Sequence, residues 1–273
     1  MGVVTPRPAR DDAGRDPGAV ENDSAAASGG GLRMTVLGCS GSYGAPWGGA
    51  CSGYLVRAGD ATLWVDCGNG SFANLQQHVP PQDLTAVVIT HGHPDHCVDL
   101  YGLHVLYQYG LERSGLPVYA PEGVERHLER LVGSWGDTFE WHGVGDGDRV
   151  SIGDAALRFS TTDHPPPTLA VEIAYAGKRL VYTSDTGPGW SAEVFGPGPD
   201  LLLCEATYQH DDVRSPMHLS ARQAGEMARS VGARHLMLTH LWPGLDPVAS
   251  VEEGSDAFGR AVVLAAPHVT TYI

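Results

Sequence analysis

The chain has 273 residues, with 17 Lys and Arg against 32 Asp and Glu, a formal charge of −15. That balance argues against a protein that gains its affinity by neutralising the phosphates of long nucleic acid. No apolar run reaches the roughly 20 residues of a membrane-spanning helix, and Cys39, Cys51, Cys67, Cys97 and Cys204 form no C-x-x-C pair, a usage expected of reduced thiols in a reducing, cytoplasmic compartment.

Residues 1–33 are rich in Ala, Gly, Pro, Asp and Ser and show no apolar periodicity. They have too little to bury to offset ordering entropy, so a disordered tail is expected. It lacks the apolar stretch of a secretory signal, and an over-extended gene start accounts for it as well as a function would. Residues 34–273 suffice for one domain with a large core. The first strand is expected over 34–37, followed by a Gly- and Ser-rich loop to Ser52 whose N–H groups and hydroxyls could approach a phosphate or base. A hairpin over 54–56 and 62–66 ends at Asp66, and a short helix follows over 71–78.

The apolar run 86–89 then delivers Thr90-His91-Gly92-His93-Pro94-Asp95-His96. Neutral imidazoles and carboxylates are the ligands of a hydrolytic divalent ion, and so many within six residues after a strand is a specific metal signature. His91 and His93, two apart on extended chain, can face one ion, and Asp95 and His96, at the turn into a helix, a second. A helix is expected over 98–107, a strand over 117–120, an amphipathic helix over 122–132 and an alternating run over 149–162.

His164 closes that run ahead of a Pro-stiffened turn, where a strand end would hold it as a ligand. Strands over 180–182 and 201–204 lead to Asp185 and Glu205. His218 and Ser220 precede a helix over 221–231, and either could serve only to cap it. The strand 235–239 delivers His240. His78 lies within the short helix, Cys97 is expected to pack beside the site, and His104, His127, His142, His210, His235 and His268 are assigned no role.

The motifs L-G-C-S-G-S, S-G-Y-L, T-H-G-H-P-D-H, H-P, S-D-T-G, L-C-E-A and H-L-S, in that order from about Met34 to the C-terminus, resemble those of the metallo-β-lactamase fold hydrolases. Within that family they resemble the ribonuclease Z-like phosphodiesterase branch. The resemblance implies an α/β fold, a four-layer αββα sandwich with the metal site at one edge of its two sheets. It implies two divalent ions, Zn²⁺ first, with Mn²⁺ and Fe²⁺ suited to the same ligands. One ion would be held by His91, His93, His164 and Asp185, the other by Asp95, His96, His240 and the bridging Asp185. Asp66 would support the metal loop through hydrogen bonds. Asp95, Glu205 and His218 would carry catalytic roles, with a hydroxide between the ions attacking phosphorus and His218, charged by Glu205, assisting the leaving oxygen.

Departures narrow the branch. The glyoxalase-like H-T-P-G-H-T-x-G pattern is missing at His164, and β-lactamases of one major subclass carry a cysteine and an arginine where this chain has Asp185 and His96. Ribonuclease Z enzymes carry a long tRNA-clamping arm between the positions of His164 and Asp185, where 20 residues stand here. The pattern also resembles small actinobacterial hydrolases described as atypical cyclic-nucleotide phosphodiesterases. The expected substrate is therefore a small anionic phosphodiester, cyclic AMP and also cyclic GMP. Endonucleolytic processing of RNA or tRNA and ester or thioester hydrolysis are the alternatives. Dimers are common in the fold, which leaves a homodimer open.

Overall fold

Runs such as 54–56, 62–65 and 201–204 are apolar at nearly every position, the pattern of strands covered on both faces. In the computed structural model, which describes residues 30–46, 49–212 and 214–273, they lie within two sheets. Residues 1–29 of the expected tail lie outside the described residues; Leu32 is buried and Arg33 already opens the first strand.

In chain order the elements are β1 (Arg33–Gly38), β2 (Gly53–Ala58), β3 (Ala61–Val65), α1 (Ser71–Leu75), β4 (Ala86–Val88), α2 (Pro94–Cys97), α3 (Leu100–Val105), β5 (Leu116–Pro121), α4 (Val124–Val132) and β6 (Phe139–Val144). The second half supplies β7 (Arg149–Ile152), β8 (Ala155–Thr161), β9 (Leu169–Tyr175), β10 (Lys178–Tyr182), β11 (Leu201–Glu205), α5 (Ala221–Ser230), β12 (His235–Thr239), α6 (Pro247–Phe258), β13 (Val263–Leu264) and β14 (Thr270–Tyr272). One sheet runs β14-β1-β2-β3-β4-β5-β6 and the other β13-β12-β11-β10-β9-β8-β7.

Strand alternation builds the layers. Met34, Val36, Tyr54, Val56, Leu63 and Val65 share one core with Leu157, Phe159, Val171, Ile173, Leu180 and Leu203 of the other sheet. Their neighbours Leu55, Trp64 and Val87 point the opposite way, against Leu75, Leu100, Leu103 and Leu128. On the far side Val181, Leu202, Leu236 and Leu238 pack against Ala224, Ala228 and Phe258 of α5 and α6. The result is the αββα sandwich. Each large side chain so buried contributes roughly 1.5–3 kcal/mol, and a one-residue slip would turn a strand's whole set to the wrong layer, which fixes register.

The run 149–162 divides into β7 and β8 because Gly153 turns at a φ of 53°. The helix expected over 98–107 begins at Leu100, after the separate turn α2, and continues as a wide π turn over Leu106–Leu111. The strands β6, β13 and β14 and the helix α6 have no counterpart among the expected elements. All five cysteines are buried, and no helix among the described residues is long and apolar enough to cross a membrane. The ends of β3, β4, β8, β10, β11 and β12 carry Asp66, the metal loop, His164, Asp185, Glu205 and His240 toward one edge of the sandwich.

Candidate metal centre

The metal loop leaves β4 as extended chain and turns into α2, whose first residue, Pro94, has a backbone suited to a helix start. His91 Nε2 stands 3.1 Å from His93 Nδ1, and His164 Nε2 3.3 Å from the same atom. Asp185 Oδ2 lies 3.7 Å from His91 Nε2 and 3.9 Å from His164 Nε2. A second group faces the other oxygen of the same carboxylate. His96 Nε2 and His240 Nε2 are 3.3 Å apart, 3.2 and 3.4 Å from Asp185 Oδ1. Asp95 Oδ2 lies 3.6 Å from the first nitrogen and 3.3 Å from the second.

Hydrogen bonds behind the rings determine where their lone pairs point. Asp66 Oδ2 accepts from His96 Nδ1 at 2.8 Å, and the carbonyl of Met217 accepts from His164 Nδ1 at 3.0 Å. Thr207 Oγ1 donates its one hydrogen to Glu205 Oε2 at 2.6 Å, so it accepts from His240 Nδ1 at 2.9 Å. Thr90 Oγ1 donates to Asp66 Oδ2 and therefore accepts from His91 Nδ1 at 3.2 Å. With the outer nitrogens of His91, His96, His164 and His240 acting as donors, neutral forms of these rings turn bare lone pairs inward. Two lone pairs about 3 Å apart cannot bond each other, whereas a cation between them satisfies both.

The spacing fits that reading. Metal–nitrogen bonds of about 2.0–2.1 Å in a tetrahedron give ligand–ligand edges of about 3.3–3.4 Å, close to the separations within each group. Asp185 Oδ1 is buried without a hydrogen bond despite its two imidazole neighbours, as suits an atom reserved for an ion. The sets His91, His93, His164, Asp185 and Asp95, His96, His240 can each hold one cation, and Asp185 faces both. The donor chemistry suits divalent metals.

Asp66 joins the layers beneath this centre. Besides His96 it accepts from Thr90 N at 2.8 Å, Thr90 Oγ1 at 2.9 Å and Tyr182 Oη at 2.9 Å. Ser184 Oγ donates to Thr90 Oγ1 at 2.7 Å. Asp66, Ser184 and His240 all sit in the left-handed region, at φ of 57°, 52° and 59°. Such conformations cost of order 1 kcal/mol or more outside glycine and cluster where function fixes geometry. The Gly/Ser loop also reaches the centre, since Ser42 N donates to Asp95 Oδ2 at 2.9 Å. A Cβ on Gly41 would meet the His240 carbonyl at 2.5 Å, so that approach requires glycine.

Burial disfavours charge on His91 and His93 and lowers their pKa, with the neighbouring imidazoles adding to it. Burial also opposes charge on His96, yet Asp185, Asp66 and Asp95 outweigh it and raise its pKa well above the ordinary value. For Asp185 the opposition is overcome by His240, His96 and His91, which hold its carboxyl far below the usual range.

Beside the centre, His218 Nδ1 meets Glu205 Oε1 at 3.0 Å and lies 4.0 Å from Asp185 Oδ2. Burial opposes protonation of His218, but Glu205, through charge and hydrogen bond, and Asp185 raise its pKa to about 9. Glu205 is buried and accepts from Thr186 N at 2.7 Å and Leu219 N at 3.2 Å. The capping alternative belongs to Ser220, whose Oγ accepts from Gln223 N in a capping box with the Gln223 side chain. His218 is left to pair with the carboxylate.

Every site residue expected from the sequence thus lies at this edge. Thr90, Tyr182, Ser184, Thr207 and the Met217 carbonyl join the site without a signal in the sequence beyond the fact that Thr90 and Thr207 adjoin motif residues. Cys97 Sγ donates to the His93 carbonyl at 3.0 Å and stays behind the loop. His104 is buried against Thr138 Oγ1 at 3.0 Å, away from the centre.

The family model for the beta-lactamase superfamily domain matches residues 61–241, which contain every one of these candidate ligands. The chain belongs to the β-lactamase superfamily. Rv1339 of Mycobacterium tuberculosis is 36% identical over 243 residues, covering 85% of this chain and 88% of the relative. The crystal structure of the metallo-beta-lactamase fold protein YhfI from Bacillus subtilis matches with a TM-score of 0.80 at 28% identity, covering 88% of this chain and 98% of that one. Ribonuclease Z of Haloarcula marismortui is 26% identical over 294 residues, 86% of this chain and 94% of that protein. The protein is a metallo-hydrolase of this superfamily with the metallo-β-lactamase fold.

Proposed function

We propose that this superfamily member is a two-metal phosphodiesterase that hydrolyses a small phosphodiester, cyclic AMP in the first place and cyclic GMP in the second. The observation that carries the reading is the His218–Glu205 pair at the rim of the centre. Ester hydrolysis with a leaving alkoxide needs an acid, and the buried Glu205 carboxylate orients the His218 imidazole and raises its pKa, which favours the protonated form. Zn²⁺, or Mn²⁺ or Fe²⁺ on the same ligands, would supply Lewis acidity at the phosphoryl oxygens and activation of water at neutral pH.

The residues of the chain do the rest. Asp66, Thr207, Thr90 and the Met217 carbonyl hold four of the histidines in the tautomer that presents an inward lone pair. Water adds to phosphorus, giving up a proton to solvent, as the bond to the ribose 3′-oxygen breaks. That oxygen takes the proton from His218, leaving a 5′-monophosphate and a neutral imidazole, which is reprotonated from solvent. Glu205 stays a carboxylate and steadies the charge on His218.

The size of the substrate is supported by the β9–β10 hairpin, which joins Tyr175 to Lys178 through Ala176 and Gly177 and has no room for an RNA-clamping arm. The net charge of −15 supports a small anion over a long nucleic acid, and the resemblance of the motifs to those of small cyclic-nucleotide phosphodiesterases supports the choice among small diesters. The name ribonuclease Z borne by one relative supports phosphodiester chemistry. The test is turnover of cyclic AMP, cyclic GMP, a short single-stranded RNA and a precursor tRNA by protein reconstituted with Zn²⁺ or Mn²⁺, beside Asp185→Ala. Turnover of a cyclic nucleotide, lost in the variant, is expected. Inactivity on both cyclic nucleotides sinks the assignment, and cleavage of RNA alone replaces it with a nuclease. Acyl substrates hydrolysed independently of His218 would make it an esterase.

A further inference from the structure

A cleft of about 340 Å³ opens directly beside the centre, lined by Gly92 and His93 of the metal loop, Val124 and His127 of α4, and Pro166 and Pro167. Its volume falls in the range of small-molecule sites. Both walls are anchored. Thr168 Oγ1 donates to the Pro166 carbonyl at 2.8 Å, and Leu169 N to the Thr90 carbonyl at 3.0 Å. Tyr101 Oη donates to the Leu128 carbonyl at 2.7 Å, which ties α4 to α3. Gly92 keeps the floor low, because a Cβ there would already touch Val124 Cγ2 and His127 Cδ2 at 3.8 Å.

The lining separates charge along the cleft. Pro121, Val124, Pro166 and Pro167 give flat apolar walls, His127 adds an exposed aromatic ring, and Glu122 sets a carboxylate on the rim. A carboxylate there repels a phosphate, while the candidate cation site beyond His93 attracts one. The cleft therefore suits the uncharged end of a molecule whose anionic end lies at the centre. The opposite flank offers less, since the Trp242 ring already meets the Arg214 guanidinium at 5.8 Å and packs perpendicular to the Tyr43 ring, centroid to centroid 5.8 Å.

We infer that this cleft seats the heteroaromatic base of the substrate, with Val124 and the two prolines against its faces and His127 stacked on its exposed side. This rests on the phosphodiesterase reading above. A cyclic nucleotide joins base and phosphate through a single ribose, so it can fill the cleft and reach the centre at once. Val124 and His127 are then specificity-determining residues that act on base recognition and not on the bond broken.

The test compares cyclic AMP with methyl p-nitrophenyl phosphate, a diester without a base, in the metal-reconstituted full chain. For His127→Ala, an exposed position whose change leaves the core alone, and for Val124→Trp, which adds bulk at a wall of the cleft that also packs in the core, we expect the kcat/KM ratio of cyclic AMP to the simple diester to fall roughly tenfold. The change should appear as a raised KM for cyclic AMP with kcat within about threefold. If the wild type turns over cyclic AMP and both ratios stay within twofold, the base binds elsewhere and the inference is wrong. If Val124→Trp does not fold, His127→Ala alone decides. A wild type that hydrolyses the simple diester but no cyclic nucleotide overturns the reading beneath the inference, and the inference with it.

Discussion

Replacing Glu205 by Gln keeps the shape of the side chain and removes its charge, which isolates what the carboxylate does to His218. The rise in the His218 pKa from an ordinary 6.5 to about 9 corresponds to about 3 kcal/mol in favour of the imidazolium. A group raised in this way is protonated at low pH and loses its proton as pH rises through the raised value, so acid catalysis by His218 fails on the alkaline side. Cations on Asp185 would cancel that residue's share, which puts the alkaline limb of kcat/KM in the wild type between 6.5 and about 9. Without the Glu205 charge, the limb should fall toward 6.5. At pH 8 roughly 3% of an imidazole with that pKa is protonated, so kcat/KM for cyclic AMP should drop about 10- to 100-fold there and only a few-fold at pH 6. A pH series with cyclic AMP, repeated with p-nitrophenyl diesters whose leaving group departs as an anion, checks both parts. The second substrate should be nearly insensitive to the substitution. A uniform loss at every pH, or an unmoved limb, would refute the assignment of His218 as the acid.

Further predictions concern the centre and its support. Asp185→Ala should remove a ligand shared by both groups and reduce turnover at least a thousandfold, with metal content measured by elemental analysis falling below that of the wild type. Asp66→Ala leaves Thr90 N, the Tyr182 hydroxyl and His96 Nδ1 without a buried acceptor; metal affinity should weaken about 10- to 100-fold and the melting temperature should drop by several degrees. Tyr182→Phe removes one of those bonds and should cost about 1 kcal/mol in chemical denaturation with catalysis largely kept. A chelator should lower the melting temperature of the metal-loaded protein by mass action, and metal affinity should weaken on acidification because protons compete for the imidazoles.

Much of this was legible in the sequence because strand ends are legible. Apolar runs fix where strands stop, and His91, His93, Asp95, His96, His164, Asp185 and His240 all stand just past such stops, so chain order and motif order coincide. The supports were harder to read. Tyr182 faces Asp66 from a strand 116 residues away, a contact made only by stacking one sheet on the other. Thr207 acquires its role through a hydroxyl shared between Glu205 and His240, which no spacing rule reports. Strand β14 hides for another reason. Two of its three residues are exposed, and it gains its place by pairing Thr270 with Thr35 and Thr271 with Met34 across the length of the chain.

Each of the two candidate cation groups draws on both halves of the chain. His91, His93, Asp95 and His96 come from the half that builds most of the first sheet, and His164, Asp185 and His240 from the half that builds the second. Neither half owns a complete set for either group. A cation bound there is a rivet as well as a reagent, fastening the sandwich at an edge that the hydrogen bonds from Tyr182 to Asp66 and from Ser184 to Thr90 also hold. Opening that seam and losing the metal are then one event, and hydrogen exchange at the ends of β4 and β10 would report it as readily as any assay of turnover.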